Sequence, residues 1–280
     1  MSLIMLAMAA VALNAQNYSG DAWNKVKSSG QGTISLAYVE TPGFVYKDNS
    51  GALTGICVDI MADFVAYVNK TKGVKLTSTF VGDGTSFKGM YDKVKGSSGG
   101  VFGLGNITIT DARKKEVKFS PAFITNFAIL ITQTSVPTLA KFEDLPKTFA
   151  GLTGYTSKGT LNERRISDLK KYYPDMKVVA LPTSQDTFEK VTADPKGFAY
   201  LDLGFYLEAV KQRKPVKRHP VGDQAAEQFG FVMPMGSDWA PIIEEFFGAN
   251  GGYTNSGQYK SILAKHLGDT GVKLLQSAGK

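Results

Sequence analysis

The chain has 280 residues, 43% of them hydrophobic, and a formal net charge of +7. That length supports one large or two medium domains with a full core, and it excludes disordered and fibrous classes. The positive charges are scattered; their one dense run, KQRKPVKR from Lys211 to Arg218, reads as a solvated helix end and a turn at Pro215. A nucleic-acid surface would want basic and aromatic residues interleaved, so no nucleic-acid partner is expected.

Leu3 to Ala12 is almost wholly apolar, and Leu13-Asn14-Ala15 before Gln16 approximates a small-residue cleavage site. Residues 1–16 are therefore expected to be the remnant of a secretory signal peptide. The run is too short to span a bilayer, and an uncleaved membrane anchor is the alternative. Thr33 to Tyr38 alternates as a strand, and Asp59 to Asn69 places Ile60, Met61, Phe64, Val65 and Val68 on one helical face, with Asp59 positioned to cap its start. Val74 to Val81 returns as a strand; Phe87, Met90, Tyr91 and Val94 mark a second helix, and Gly96 to Gly100 a loop. Val101 to Asn106 and Phe127 to Thr132 read as buried strands. After a long connection with Pro137 and Pro146, a second alternating set runs from Ala150 to about Arg218. Two amphipathic helices follow, one marked by Trp239, Ile242, Ile243, Phe246 and Phe247, the other by Tyr259, Ile262, Leu263 and Leu267. This alternation predicts an α/β fold with mostly parallel sheets in two lobes, and a cleft between lobes is a usual place for a small ligand.

Several chemistries lack their residues. Cys57 is the single cysteine and lies in an apolar run, so it reads as a small core residue, with neither a disulfide nor a lipid-attachment site. His219 and His266 are far apart with no ligand-type spacing, which argues against a zinc site or a histidine triad. The segment GSSGGVFGLG lacks the Gly-Lys-Ser/Thr of a phosphate loop and does not fit GxGxxG, and there is no GxSxG elbow. No cofactor or metal is expected.

Three segments carry candidate chemistry. In GNITITDARKKEVKFSPAFI, Asn106 and Thr108 share one face of an extended strand beside a turn that presents Arg113, a rigid fork suited to a carboxylate. The alternative is a solvated basic turn, since Lys114 and Lys115 follow. In SKGTLNE, from Ser157, Thr160 and Glu163 fit a capping box, and a helix start suits an anion; an ordinary capped helix has the same pattern. In FAYLDLGFY, Asp202 ends an apolar strand, where open α/β sheets bind ligands and where it could hold an ammonium group or simply cap a helix. An arginine, a helix N-terminus and an aspartate together complement an α-amino acid zwitterion.

At these residues the chain resembles the type II periplasmic solute-binding proteins for polar amino acids that feed ABC importers, bacterial extracellular solute-binding protein family 3. SGALTGICVDIMADF looks like the family's opening motif, GNITITDARKKEVKFSPAFI its carboxylate segment, and DLPKTFAGLTGYTSKGT the start of its second lobe. FAYLDLGFYLEA resembles its ammonium-binding strand, while GFVMPMGSDWAPIIEEFF and GGYTNSGQYKSILAKHLG resemble the returning strand and closing helices. The resemblance implies a two-lobe fold of mixed sheets flanked by helices, with hinge crossover strands near Thr125 to Phe127 and Gln228 to Phe231. Residues 17–126 plus 228–280 would form lobe one, and 127–227 lobe two. It further implies that Arg113 grips the ligand α-carboxylate with the backbone of Thr108 and Thr160, and that Asn106 and Asp202 receive the α-ammonium. Tyr38, Glu40 and Phe44 fall where the family supplies the side-chain pocket. Extra residues, Tyr155 to Lys158, precede Gly159-Thr160, so whether Ser157 or Thr160 touches ligand stays open.

The function expected is a monomeric periplasmic receptor that binds an L-amino acid and hands it to a membrane permease of an ABC importer. The rival is an enzyme on the same fold, such as a cyclohexadienyl dehydratase, for which Glu40 is the candidate acid or base. Glu40 would suit a cationic ligand, whereas Tyr38, Thr41 and Phe44 would suit an uncharged one.

Overall fold

Two twisted mixed sheets organise the chain in a computed structural model that describes residues 17–278; the expected signal segment, residues 1–16, lies outside them. The first sheet runs in the order Lys75–Gly84, Gln31–Val39, Val101–Leu104, Val232–Pro234, Val117–Phe119. Its first three strands are parallel, and Val232–Pro234 lies antiparallel to both neighbours. The second sheet runs Lys177–Leu181, Thr153–Ser157, Gly197–Asp202, Ile124–Gln133, Val216–Arg218, and Gln224–Phe229 also pairs with Ile124–Gln133. Here too three parallel strands give way to antiparallel ones. The expected α/β alternation is present, but the sheets are mixed, because the segments linking the lobes return antiparallel to the strands they join.

Helices form where apolar spacing and end signals agree. The helix Ile56–Lys72 buries Ile56, Ile60, Met61, Phe64 and Val68 on one face and stops at Gly73, whose φ of 67° is left-handed. It starts three residues before Asp59, so Asp59 does not cap it; its carboxylate instead meets Lys265 Nζ and His266 Nε2, each at 2.8 Å. Phe87–Lys95 is capped by Ser86, which accepts the Gly89 N–H at 3.1 Å. The glycine segment expected as a loop contains a short pairing, Ser98–Gly99 beside Ser19–Gly20. The last helix, Gly257–Ala278, bends at Gly268, where φ is 65°. Cys57 is fully buried, and burial pushes its thiol pKa up, as expected for an inert core residue.

The chain crosses between sheets twice, from Phe119 to Ile124 and from Phe229 to Val232. Phe123 and Phe231, in these two crossings, stack with ring centroids 4.8 Å apart. In the second lobe His219 is wholly buried. The Leu139 N–H donates to its Nδ1 at 3.0 Å, so Nδ1 must be unprotonated, and Nε2 donates to Thr132 Oγ1 at 2.7 Å. Burial, with Lys217 nearby, pulls its pKa down to about 4. A histidine depressed in the native state contributes stability that is full above its unfolded pKa and is lost as pH falls toward the folded value. Unfolding by urea is therefore expected to show wild type losing on the order of 2–3 kcal/mol more than His219→Gln between pH 7 and 4. Equal losses would contradict the buried neutral state.

Candidate functional site

A cleft of about 1300 Å³ opens where the two sheets face each other, and its walls come from both. Strand Val101–Leu104 ends at Gly105, with φ 148°, so Asn106 sits in a bend rather than in the strand expected to extend to it. Thr108 then bridges Phe229 of the crossing strand, and Thr110 caps a short helix, Asp111–Lys114, that holds Arg113. Arg113 Nη1 donates to the Thr108 carbonyl at 3.0 Å. Its guanidinium lies 4.9 Å from the Phe87 ring centroid and 5.7 Å from that of Tyr91, a cation–π seat. Burial pulls its pKa down, yet an arginine keeps its charge at any working pH. Among the described residues no carboxylate forms an ion pair with it. Arg113 is thus not the solvated basic turn that its lysine neighbours suggest.

Asp202 ends strand Gly197–Asp202 and stands at the cap position of helix Leu203–Lys211, but its side chain does not cap it. Asn126 Oδ1 takes the Leu203 N–H at 3.3 Å instead. The Asp202 carboxylate accepts Asn106 Nδ2, across the cleft, and Asn162 Nδ2 at 3.4 Å. Burial pushes its pKa up, while Arg165 and the amides of Asn162, Asn106 and Asn126 pull it down. Asn106 is itself aimed by Thr41 Oγ1, which donates to its Oδ1 at 3.2 Å.

The Ser157 segment forms half of the expected capping box. Thr160 accepts the Glu163 N–H at 3.3 Å, but the Glu163 carboxylate takes the Gly159 N–H at 2.8 Å rather than that of Thr160. Thr160 Oγ1 donates to the Ser157 carbonyl, and Ser157 Oγ pairs with Ser184 Oγ. Both residues line the cleft, together with Asn106, Thr108, Arg113, Asp202 and Glu40. Glu40 pairs with Lys47 at 2.8 Å and is 40% exposed.

Two expected pocket residues lie elsewhere. Tyr38 is buried against Phe80, edge to face at 5.9 Å, and Phe44 is fully buried against Phe229 at 5.7 Å. Alternation along strand Gln31–Val39 and the tight turn after Thr41 send both rings into the core, leaving Pro42 and Gly43 at the cleft surface. Sequence reasoning missed Asn162, Arg165 and Glu227, which also line the cleft. A signal existed: Asn162, Arg165, Ile166 and Leu169 occupy one helical stripe, and the polar pair is buried with the apolar one. Among the described residues no group of three or more metal-ligating side chains is assembled, and no helix is long and apolar enough to cross a membrane.

The sequence from residue 34 to 269 matches the model of the bacterial extracellular solute-binding proteins, family 3, and the chain belongs to that family. Among solved structures it is similar to an ancestral arginine-binding protein bound to glutamine, with 22% identity and a TM-score of 0.67 over 85% of this chain and 98% of that one. It is also similar to the arginine-, lysine-, histidine-binding protein ArtJ from Geobacillus stearothermophilus, at 18% identity and a TM-score of 0.65 over 85% and 96% of the two chains. An ancestral amino acid-binding protein described as a precursor of cyclohexadienyl dehydratase matches at 22% identity and a TM-score of 0.66, over 87% and 98%. At these identities the likenesses show the two-lobe fold.

Gly204, at the start of helix Leu203–Lys211, abuts the Pro42 carbonyl of the opposite wall, and a Cβ there would collide with it. Gly204→Ala is expected to cost about 1–3 kcal/mol in urea unfolding by forcing the walls apart. No change would mean that Pro42 and Gly204 do not hold the cleft floor together.

Proposed function

We propose that the chain is an extracytoplasmic receptor whose cleft captures an L-amino acid by its zwitterionic head and presents it to the permease of an ABC importer. One observation supports this most: a single cleft contains an arginine with no acidic partner among the described residues and an aspartate whose hydrogen-bond donors there are neutral amides. An α-carboxylate would satisfy the first, and an α-ammonium the second. In this reading Arg113 grips the carboxylate, with backbone donors of Thr108 and Thr160 beside it, and Asn106 and Asp202 receive the ammonium. Ser157 and Glu40 face the rest of the ligand. Tyr38 and Phe44 have no place in the contact set.

The proposed lobes divide after residue 126 and before residue 228, on the paired strands that lead to and from the two crossings; ligand bridging both walls would stabilise the closed form. Family membership supports export and a periplasmic location, and a monomer suffices because one chain supplies both halves of the site. An enzyme on the same fold is the second reading, because Glu40 places a carboxylate in the cleft wall. Glu40 would be its acid or base, and incubation with a cyclic carboxylic acid that yields product would support it.

A thermal scan against the twenty L-amino acids tests the receptor. A ligand at a hundredfold excess over its Kd adds about 2.7 kcal/mol and should raise the midpoint by several degrees, whereas silence from all of them contradicts the reading. With the ligand in hand, Arg113→Ala is expected to cost about 2–5 kcal/mol of binding by calorimetry, and wild-type affinity would rule out the carboxylate role. Asp202→Asn should weaken amino acids selectively over the matching des-amino acids. An equal loss for both would count against the ammonium role.

A further inference from the structure

A second arginine, Arg165 of helix Leu161–Asp168, borders the same cleft and is only 7% exposed. Its guanidinium is clamped from behind by strand Gln224–Phe229: Nε donates to Gln224 Oε1 at 2.9 Å and Nη2 to Glu227 Oε1. In front, Nη1 donates to Asn162 Oδ1 at 2.7 Å, and the same amide sends its N–H on to Asp202. An amide has one acceptor end and one donor end, so fixing its oxygen on Arg165 leaves only its nitrogen to face the carboxylate.

We propose that Arg165 is a positioning residue for the ammonium site: through Asn162 it holds the Asp202 carboxylate anionic and aimed into the cleft. The inference rests on the amino-acid reading and extends it to a residue that need not touch ligand. A desolvated carboxylate with only neutral donors would tend to take up a proton, and a neutral acid attracts an ammonium poorly. Arg165 lowers the Asp202 pKa, and Arg113 interacts electrostatically with the same carboxylate. Tyr200, two residues earlier on the same strand, has its phenol pushed up to about 12 by burial and stays neutral. Glu227 lies beyond Arg165 and is neutralised by it. A lysine would supply the charge but not the fork, since three separate acceptors are met from three guanidinium nitrogens.

The test measures affinity for an amino acid that binds wild type and for its des-amino analogue, from pH 4 to 8. Arg165→Gln should lose about tenfold or more for the amino acid at pH 7, little for the analogue, and its acid limb should move up by about one pH unit or more. The double variant Arg165→Gln/Glu227→Gln removes the unmasked glutamate and should behave likewise, while Arg165→Lys should recover part of the loss. Unchanged discrimination and pH profile, or an equal loss for both ligands as a merely structural role would give, overturns the proposal. If Arg165→Gln does not fold, Asn162→Ala breaks the relay outside the clamp and should cut the preference for the amino acid severalfold; an unchanged preference overturns the relay. If wild type binds no amino acid, the receptor reading fails separately. The carboxyl ¹³C resonance of Asp202 in the ligand-free protein then decides, because its titration midpoint should rise in Arg165→Gln and an unmoved midpoint is the contrary result.

Discussion

The hydrogen-bonded pairing of the two crossing segments sets the geometry of the cleft. Phe123 N–H donates to Phe229 O, and Ser120 N–H to Phe231 O, both at 2.9 Å, so the crossings run as one ribbon between the sheets. The ligand-facing loop is attached to that ribbon: Ile109 N–H donates to Gln228 O at 2.8 Å, and Gly230 N–H to Ile107 O at 3.1 Å. Thr108 is thereby fixed, and Arg113 is fixed on the Thr108 carbonyl. From the other wall, Arg165 grips Gln224 and Glu227 on strand Gln224–Phe229, which leads into the second crossing. Both halves of the polar site are thus referenced to the part of the chain about which the lobes would rotate. A rotation there would change the gap between the walls and part Asn106 from Asp202, whose hydrogen bond spans the cleft.

Electrostatics does the rest within that frame. Arg113 and Asp202 are both partly withdrawn from water, and burial moves each pKa toward the neutral form. Each is compensated by dipoles or ring faces rather than by a direct counterion: Thr108, Phe87 and Tyr91 for one, Asn106 and Asn162 for the other. A site with unmatched charges of both signs favours a ligand that supplies both, and in low dielectric that preference exceeds what the same groups would give on a surface.

Much of this was legible from the residues. Periodicity located the helix Ile56–Lys72 and the helix Phe87–Lys95, because each has one buried face and a clear stop, and the strand Lys75–Gly84 was found between them. Arg113, Asp202, Asn106, Thr108, Ser157, Thr160 and Glu40 do converge on one cleft. Asp59 as a cap, the full capping box at Thr160, and Tyr38 and Phe44 as pocket walls were not recovered. Those errors share a cause: a capping pattern or an aromatic near a loop does not say which of two faces it takes, and packing decides. Arg165 escaped notice because its partners Gln224 and Glu227 lie about sixty residues away, a pairing that local spacing cannot reveal.

The most direct measurement is a calorimetric titration of the amino acid that most raises the melting midpoint, compared with its N-acetyl derivative and its methyl ester. Each blocked form removes one charge of the zwitterion and leaves the side chain intact. Losses on the order of a hundredfold or more for both derivatives are predicted, because each leaves one partly buried charge of the cleft without its partner. An ester or an N-acetyl derivative that binds as tightly as the free amino acid would contradict head-group recognition by Arg113 and Asp202.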